Sequence, residues 1–281
     1  MNKKRKSPDP GLIILERIDK HGWLLKCPRL RSEVLELLGD AIDWMDVNPR
    51  LAKSQFRRLI RDYPEFLDAY YHLALTWYRE GRMDQAHRIW RKGAELALKV
   101  LPANFSMKTD QLLWGFIENR PFLRLYFGYG LALMKRGEFE KALEIFENTL
   151  SLNPNDNQGV RSFFVGCNFE LGRPQAVLSM CDRFRGDCLE HVAYGRVLAL
   201  YQLGRVKAAA KALSFAVEYL PLIARELLKT RHRRIANWDE GGVVLGSQTQ
   251  AYGYWLEHGK FWRNTPGALD FLRSELGQAP G

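Results

Sequence analysis

The chain has 281 residues, of which 46% are hydrophobic and 26% charged, and Lys plus Arg exceed Asp plus Glu by 42 to 32. That composition supports a sizeable core and excludes wholesale disorder, and four cysteines over this length exclude a disulfide framework. The net charge of +10 suits an acidic or anionic partner, or serves solubility.

Residues 1–30 read as a basic tail and lead-in, with the run Lys3 to Lys6 and no apolar stretch behind it, so no signal peptide is expected. No uncharged apolar run approaches the ~18 residues that cross a bilayer. Cys27, Cys167, Cys181 and Cys188 form no C-x-x-C pair and read as buried thiols of a cytoplasmic protein. Glu33 to Val47 is predicted as an amphipathic helix carrying Val34, Leu38, Ala41 and Met45, and Asn48-Pro49 breaks it. Leu51 to Asp62 is the next helix, with Ala52, Phe56 and Leu59 inward. Between Leu101 and Arg120 the pattern pauses, and Ser106 to Glu118 is predicted as an extra helix with Leu112, Leu113 and Phe116 on one face. After Pro221 a helix is expected over Leu222 to Arg234, then a turn-rich break at Trp238 to Gly242. Ser247 to Trp262 is a closing helix. Thr265-Pro266 opens a last one carrying Leu269, Leu272 and Leu276. No segment shows a strand period.

The middle of the chain repeats itself. From Leu123 to Asp156, Tyr126, Gly130, Ala142, Phe146 and Pro154 stand at the offsets of the tetratricopeptide pattern, a helical hairpin of about 34 residues. Gly130 and Ala142 are small where the two helices cross, and Gly137 ends the first helix. Tyr70, Leu73, Trp77, Gly81, Ala86 and Trp90 repeat those offsets, and Gly137, Gly172 and Gly204 follow one another at spacings of 35 and 32. Units are therefore expected near 33–66, 67–100, 123–156, 158–190 and 190–221. The fold expected is an all-α, right-handed solenoid of tetratricopeptide-like helical hairpins over 31–221, closed by a C-terminal helical cap over 222–276.

Three phrases go beyond the generic repeat: Trp114 to Arg124, Leu152 to Arg161, and the tail from Gly246 to Leu269. Together they resemble the bacterial and plant tetratricopeptide proteins related to the family called suppression of tumorigenicity. The resemblance implies a scaffold role and no catalytic residues. Animal members carry membrane segments, which this sequence lacks.

Chemistry-bearing motifs are absent: no H-E-x-x-H, no G-x-S-x-G, no phosphate loop and no dinucleotide fingerprint. His21, His72, His87, His191, His232 and His258 are scattered, with no pair at i, i+4. No enzyme, cofactor or metal is therefore expected. In tetratricopeptide solenoids the first helix of each hairpin lines the concave face, mainly through its second, fifth, ninth, twelfth and thirteenth positions. Mapped here, the groove residues are Tyr71, Tyr78, Arg79, Arg124, Phe127, Met134, Lys135, Phe169, His191, Tyr194 and Tyr201. Fifth and twelfth positions lie two helical turns apart and form one stripe. An aromatic groove with a basic component suits an extended segment of a protein partner with apolar anchors and acidic side chains. The alternative is a nucleic-acid-binding helical repeat using residues 229–234, where Lys229, Arg231, His232, Arg233 and Arg234 cluster without interleaved aromatics.

Overall fold

The computed structural model describes residues 13–235 and 244–277. The chain divides into two compact units, Met1–Val160 and Arg161–Gly281. In the first unit lie α1 (Ser32–Val47), α2 (Pro49–Asp62), α3 (Leu67–Arg79), α4 (Met83–Lys99), α5 (Arg120–Lys135) and α6 (Phe139–Leu152). The second holds α7 (Val160–Glu170) from its second residue on, then α8 (Pro174–Arg183), α9 (Glu190–Gln202), α10 (Val206–Tyr219), α11 (Pro221–Leu227), α12 (Gln248–Asn264) and α13 (Ala268–Glu275). Among the described residues the fold is all-α apart from one short hairpin. Among the described residues no helix is long and apolar enough to cross a membrane.

α1 packs on α2, α3 on α4, α5 on α6 and α9 on α10 as helical hairpins, and the sequence shows why. Asn48 caps α2 by accepting from Leu51 N–H at 3.2 Å, and Pro49 opens that helix where a missing N–H costs nothing. At the end of α5, Gly137 takes φ 76° and its N–H reaches Met134 O at 2.9 Å, while Glu138 N–H reaches Leu133 O at 3.0 Å. Those bonds satisfy the last carbonyls and turn the chain into α6. Close crossings fall at the small residues. A Cβ on Gly130 would lie 2.6 Å from Phe146 Cε1 and 2.9 Å from Ile145 Cγ2, and one on Gly128 would lie 2.7 Å from Trp90 Nε1. Ala142, Phe146 and Trp90 are buried beneath them.

The lead-in departs from expectation, because it contains strands. β1 (Ile14–Arg17) pairs antiparallel with β2 (Trp23–Lys26), with Arg17 opposite Trp23. The Asp19 carboxylate accepts from the N–H groups of His21 (2.8 Å) and Gly22 (2.5 Å), closing the turn. Asn119 holds the hairpin in place: its Oδ1 accepts from Leu25 N–H at 2.9 Å and its Nδ2 donates to Trp23 O at 3.0 Å. Four-residue strands show too little alternation for a period to be legible.

The helix expected over Ser106 to Glu118 is likewise absent, with only a 3-10 turn at Ile117–Asn119. Backbone groups there bond outward instead. Asp110 takes the Ser106 N–H at 2.8 Å, Gln111 N–H reaches His21 O at 2.7 Å, and Leu112 N–H reaches Leu152 O at 2.9 Å. The expected helix over Leu222 to Arg234 stops at Leu227, so residues 229–234 follow α11 as irregular chain. The final helix begins at Ala268 rather than Pro266, since Thr265 is spent closing α12 through its hydroxyl to Phe261 O at 2.7 Å. The basic run expected at Lys3 to Lys6 and the break expected at Trp238 to Gly242 lie outside the described residues.

Candidate functional site

In the first unit α3 touches both α1 and α5, so first helices of successive hairpins run side by side and form one layer. Tyr71, Tyr78 and Arg79 come from α3, and Arg124, Phe127, Met134 and Lys135 from α5. Tyr71, Tyr78, Phe127 and Met134 are all half-buried. Tyr78 leans on Trp90 with ring centroids 5.7 Å apart, and Phe127 leans on Phe146 at 5.9 Å. Each of these four side chains is thus partly accessible, and the rings of Tyr78 and Phe127 are fixed by their neighbours.

The basic component is weaker than the sequence implies. Arg124 Nη2 bonds both oxygens of Asp68, at 2.8 and 2.9 Å, across the α3–α5 seam. Burial pushes the Asp68 carboxyl above its usual range, and Arg124 partly offsets this. The Arg124 Nε–H is buried and finds no acceptor. Arg79 pairs with Asp46 at 2.7 Å. Lys135 is exposed, and no ion pair to it is seen among the described residues. His72, between Phe56 (5.9 Å) and Tyr71 (5.0 Å), has its ring pushed down to about 4 by burial, with Arg124 and Arg79 adding to the shift.

In the second unit the four remaining groove positions all meet the chain's own tail, an occupancy that the sequence alone leaves open. Phe169 stacks on Phe261 of α12 at 5.2 Å, and Tyr194 meets Tyr254 at 5.7 Å and Trp262 at 6.4 Å. Tyr194 is fully buried, its hydroxyl donating to Leu220 O at 2.8 Å. Tyr201 packs on Phe271 of α13 at 5.0 Å and donates to Pro266 O at 3.3 Å. His191 sits 2.9 Å from Glu257 Oε2 through its Nε2, and its ring centroid is 4.6 Å from that of His258. The physical reason is the inner face of α12, where Ala251, Tyr254, His258 and Trp262 recur at helical spacing and are all buried. His191, Glu257 and His258 each bring a donor atom within 4.8 Å of the others, a grouping across two helices that no search for i, i+4 histidines can find.

Residues 229–234 are partly neutralised. Glu226, itself buried, pairs with Lys229 and shares a hydrogen bond of 2.9 Å with His232 Nδ1, while the His232 ring stacks on Trp255 at 3.7 Å. Arg231, Arg233 and Arg234 are exposed. A cavity of about 450 Å³ also opens among Cys181, Phe184, Val192, Leu200 and Phe215, with Arg196 at its rim held by Asp182 at 2.5 Å.

Residues 48–90 and 123–156 both match the tetratricopeptide repeat family. These two stretches carry tetratricopeptide repeats. The second match coincides with the Leu123 to Asp156 hairpin. Among solved structures, the C-terminal part of a TPR repeat-containing protein from Cytophaga hutchinsonii is 13% identical, covers 85% of this chain and 79% of its own, and superimposes with a TM-score of 0.50. YrrB, described as a TPR protein with an unusual peptide-binding site, is 17% identical over 65% of this chain and 84% of its own, with a TM-score of 0.49. PilF of Pseudomonas aeruginosa is 16% identical over 86% of this chain and 98% of its own, with a TM-score of 0.46. At these identities the likeness is one of fold. A comparison with curated proteins finds no match.

Proposed function

We propose that this tetratricopeptide-repeat chain is a non-catalytic adaptor that holds an extended segment of a protein partner against the α3–α5 face of its first unit. The carrying observation is the pair of stripes formed by Tyr71 with Tyr78 and Phe127 with Met134, half-buried on adjacent helices and anchored by Trp90 and Phe146. Because Arg79 and Arg124 are already paired, apolar anchors contribute more to recognition than acidic side chains, with Lys135 the cation left to meet an acid. Phe169, His191, Tyr194 and Tyr201 serve the tail contact instead.

The four thiols, unpaired and with Cys27, Cys167 and Cys181 pushed up to about 12 by burial, support a reducing, cytoplasmic setting. The finer kinship with the suppression-of-tumorigenicity-related proteins rests on Trp114 to Arg124, Leu152 to Arg161 and the tail from Gly246 to Leu269. The test is a random peptide library selected on the chain, with affinities measured across roughly 50 to 300 mM salt alongside a random RNA and DNA pool. Selected peptides should carry spaced apolar residues, bind with little salt dependence, and lose about tenfold or more with Tyr71→Ala plus Phe127→Ala. A tight, salt-steep complex with nucleic acid that Arg231→Glu plus Arg233→Glu removes would favour the alternative.

A further inference from the structure

Three donor side chains converge in the second unit. His191 stands near the start of α9, and Glu257 and His258 are neighbours on α12. His191 Nε2 lies 2.9 Å from Glu257 Oε2, and one atom from each of the three residues falls within 4.8 Å of the others. A tetrahedral ion with bonds of about 2.0–2.2 Å holds its donors roughly 3.3 Å apart. The His191–Glu257 pair needs only a slight opening, and His258 a modest approach. Two imidazoles and a carboxylate form the donor set of zinc sites that leave a fourth position to water.

The surroundings are arranged as support for such a site. His191 Nδ1 faces Glu190 Oε1 at 3.3 Å, and Gln250 donates to the other Glu190 oxygen at 2.6 Å. A carboxylate on the far nitrogen orients the ring and fixes the tautomer that leaves Nε2 available as a ligand. His258 is only 4% exposed, lies parallel to Tyr254 at 5.1 Å, and has a buried Nδ1 with no hydrogen-bond partner. An apolar filler at that position would leave no orphaned polar atom, and histidine does. Glu257 is exposed, which gives an ion a path from solvent.

We propose that His191, Glu257 and His258 bind a single divalent transition-metal ion, zinc by the donor set, which ties α12 to α9 and fixes the tail over the groove positions of the second unit. The experiment uses the full chain, freed of any affinity tag and of metal, titrated with Zn²⁺ against a chromogenic chelator and with Co²⁺ by visible absorption. Expected is one ion per chain with a Kd of about 1 μM or tighter, and a visible cobalt band characteristic of four-coordination. Glu257→Gln, a change on an exposed helix surface, should weaken zinc about 10- to 100-fold, and His191→Gln should remove the cobalt band. Should His191→Gln fail to fold, Glu257→Gln decides alone. Binding weaker than about 100 μM, or zinc affinity within about twofold of the parent in Glu257→Gln, overturns the proposal.

Discussion

The ring of Phe261 lies on the ring of Phe169, centroids 5.2 Å apart and planes 28° from parallel. Phe169 stands on a first helix of a hairpin, at a position that repeat proteins of this kind use for partners, and here the chain's own tail takes it. Tyr194 and Tyr201 repeat the arrangement with Tyr254, Trp262 and Phe271.

If α12 is part of the second unit's core, its anchor should be expensive to remove. Trp262 is fully buried and its Nε1 donates to Tyr254 Oη at 3.1 Å. Trp262→Ala should cost about 3–5 kcal/mol in chemical unfolding, and Tyr254→Phe, which orphans the indole N–H, about 1–3 kcal/mol. A Trp262→Ala protein that unfolds with the parent would make the tail an appendage.

Two glycines should respond in opposite directions. Gly130→Val drives a side chain into Phe146 and Ile145 and should destabilise by about 1–3 kcal/mol or more. Gly39 lies inside α1, and a Cβ added there would meet nothing within 4 Å, so Gly39→Ala should stabilise by about 0.5–1 kcal/mol through helix propensity. Urea midpoints of both variants check the pair.

Asp68 and Arg124 should behave as a unit. Arg124→Gln leaves a buried carboxylate without its cation and should cost about 3–5 kcal/mol, whereas the double change with Asp68→Asn should recover much of that loss. A double-mutant cycle with no coupling would show that the seam is held by other contacts.

His72 gives the first unit a pH dependence of definite sign. Its folded value, about 4, lies below the unfolded value near 6.5, so the unfolded chain binds the proton more readily. The stability concerned is fully present above about pH 6.5 and is lost as pH falls toward 4, by about 2 kcal/mol at pH 5. Asp68, shifted upward, works against this loss, so the quantity to measure is the parent's stability minus that of His72→Leu as a function of pH. A difference that stays flat between pH 7 and 4.5 would rule out the assignment.

The repeat hairpins are legible in the sequence because their landmarks each do a separate physical job. Gly137 has to turn the chain, Gly130 and Ala142 have to let helices cross, and the matching offsets at Tyr70 to Trp90 make chance untenable. The hairpin at Ile14 to Lys26 is not legible, since its stability comes from Asn119 and the Gln111 backbone, about ninety residues away. The same holds for the fate of the groove residues. Helical spacing places Tyr71 and Tyr194 at equivalent positions, but only the fold reveals that α12 covers one, and the sequence of α12 reads merely as a closing helix. The His191, Glu257 and His258 grouping is invisible in the sequence for that reason too.

A partner segment on the first unit's face, and not on the second's, can be located by crosslinking. A photo-reactive phenylalanine analogue is placed at Tyr78 or, separately, at Tyr201, and each protein is irradiated with a library-selected peptide. Position 78 should crosslink and position 201 should not, because Phe271 and Pro266 already hold the side chain there. A crosslink from position 201 with none from 78 would put the peptide on the wrong unit and refute the adaptor face proposed for α3 and α5.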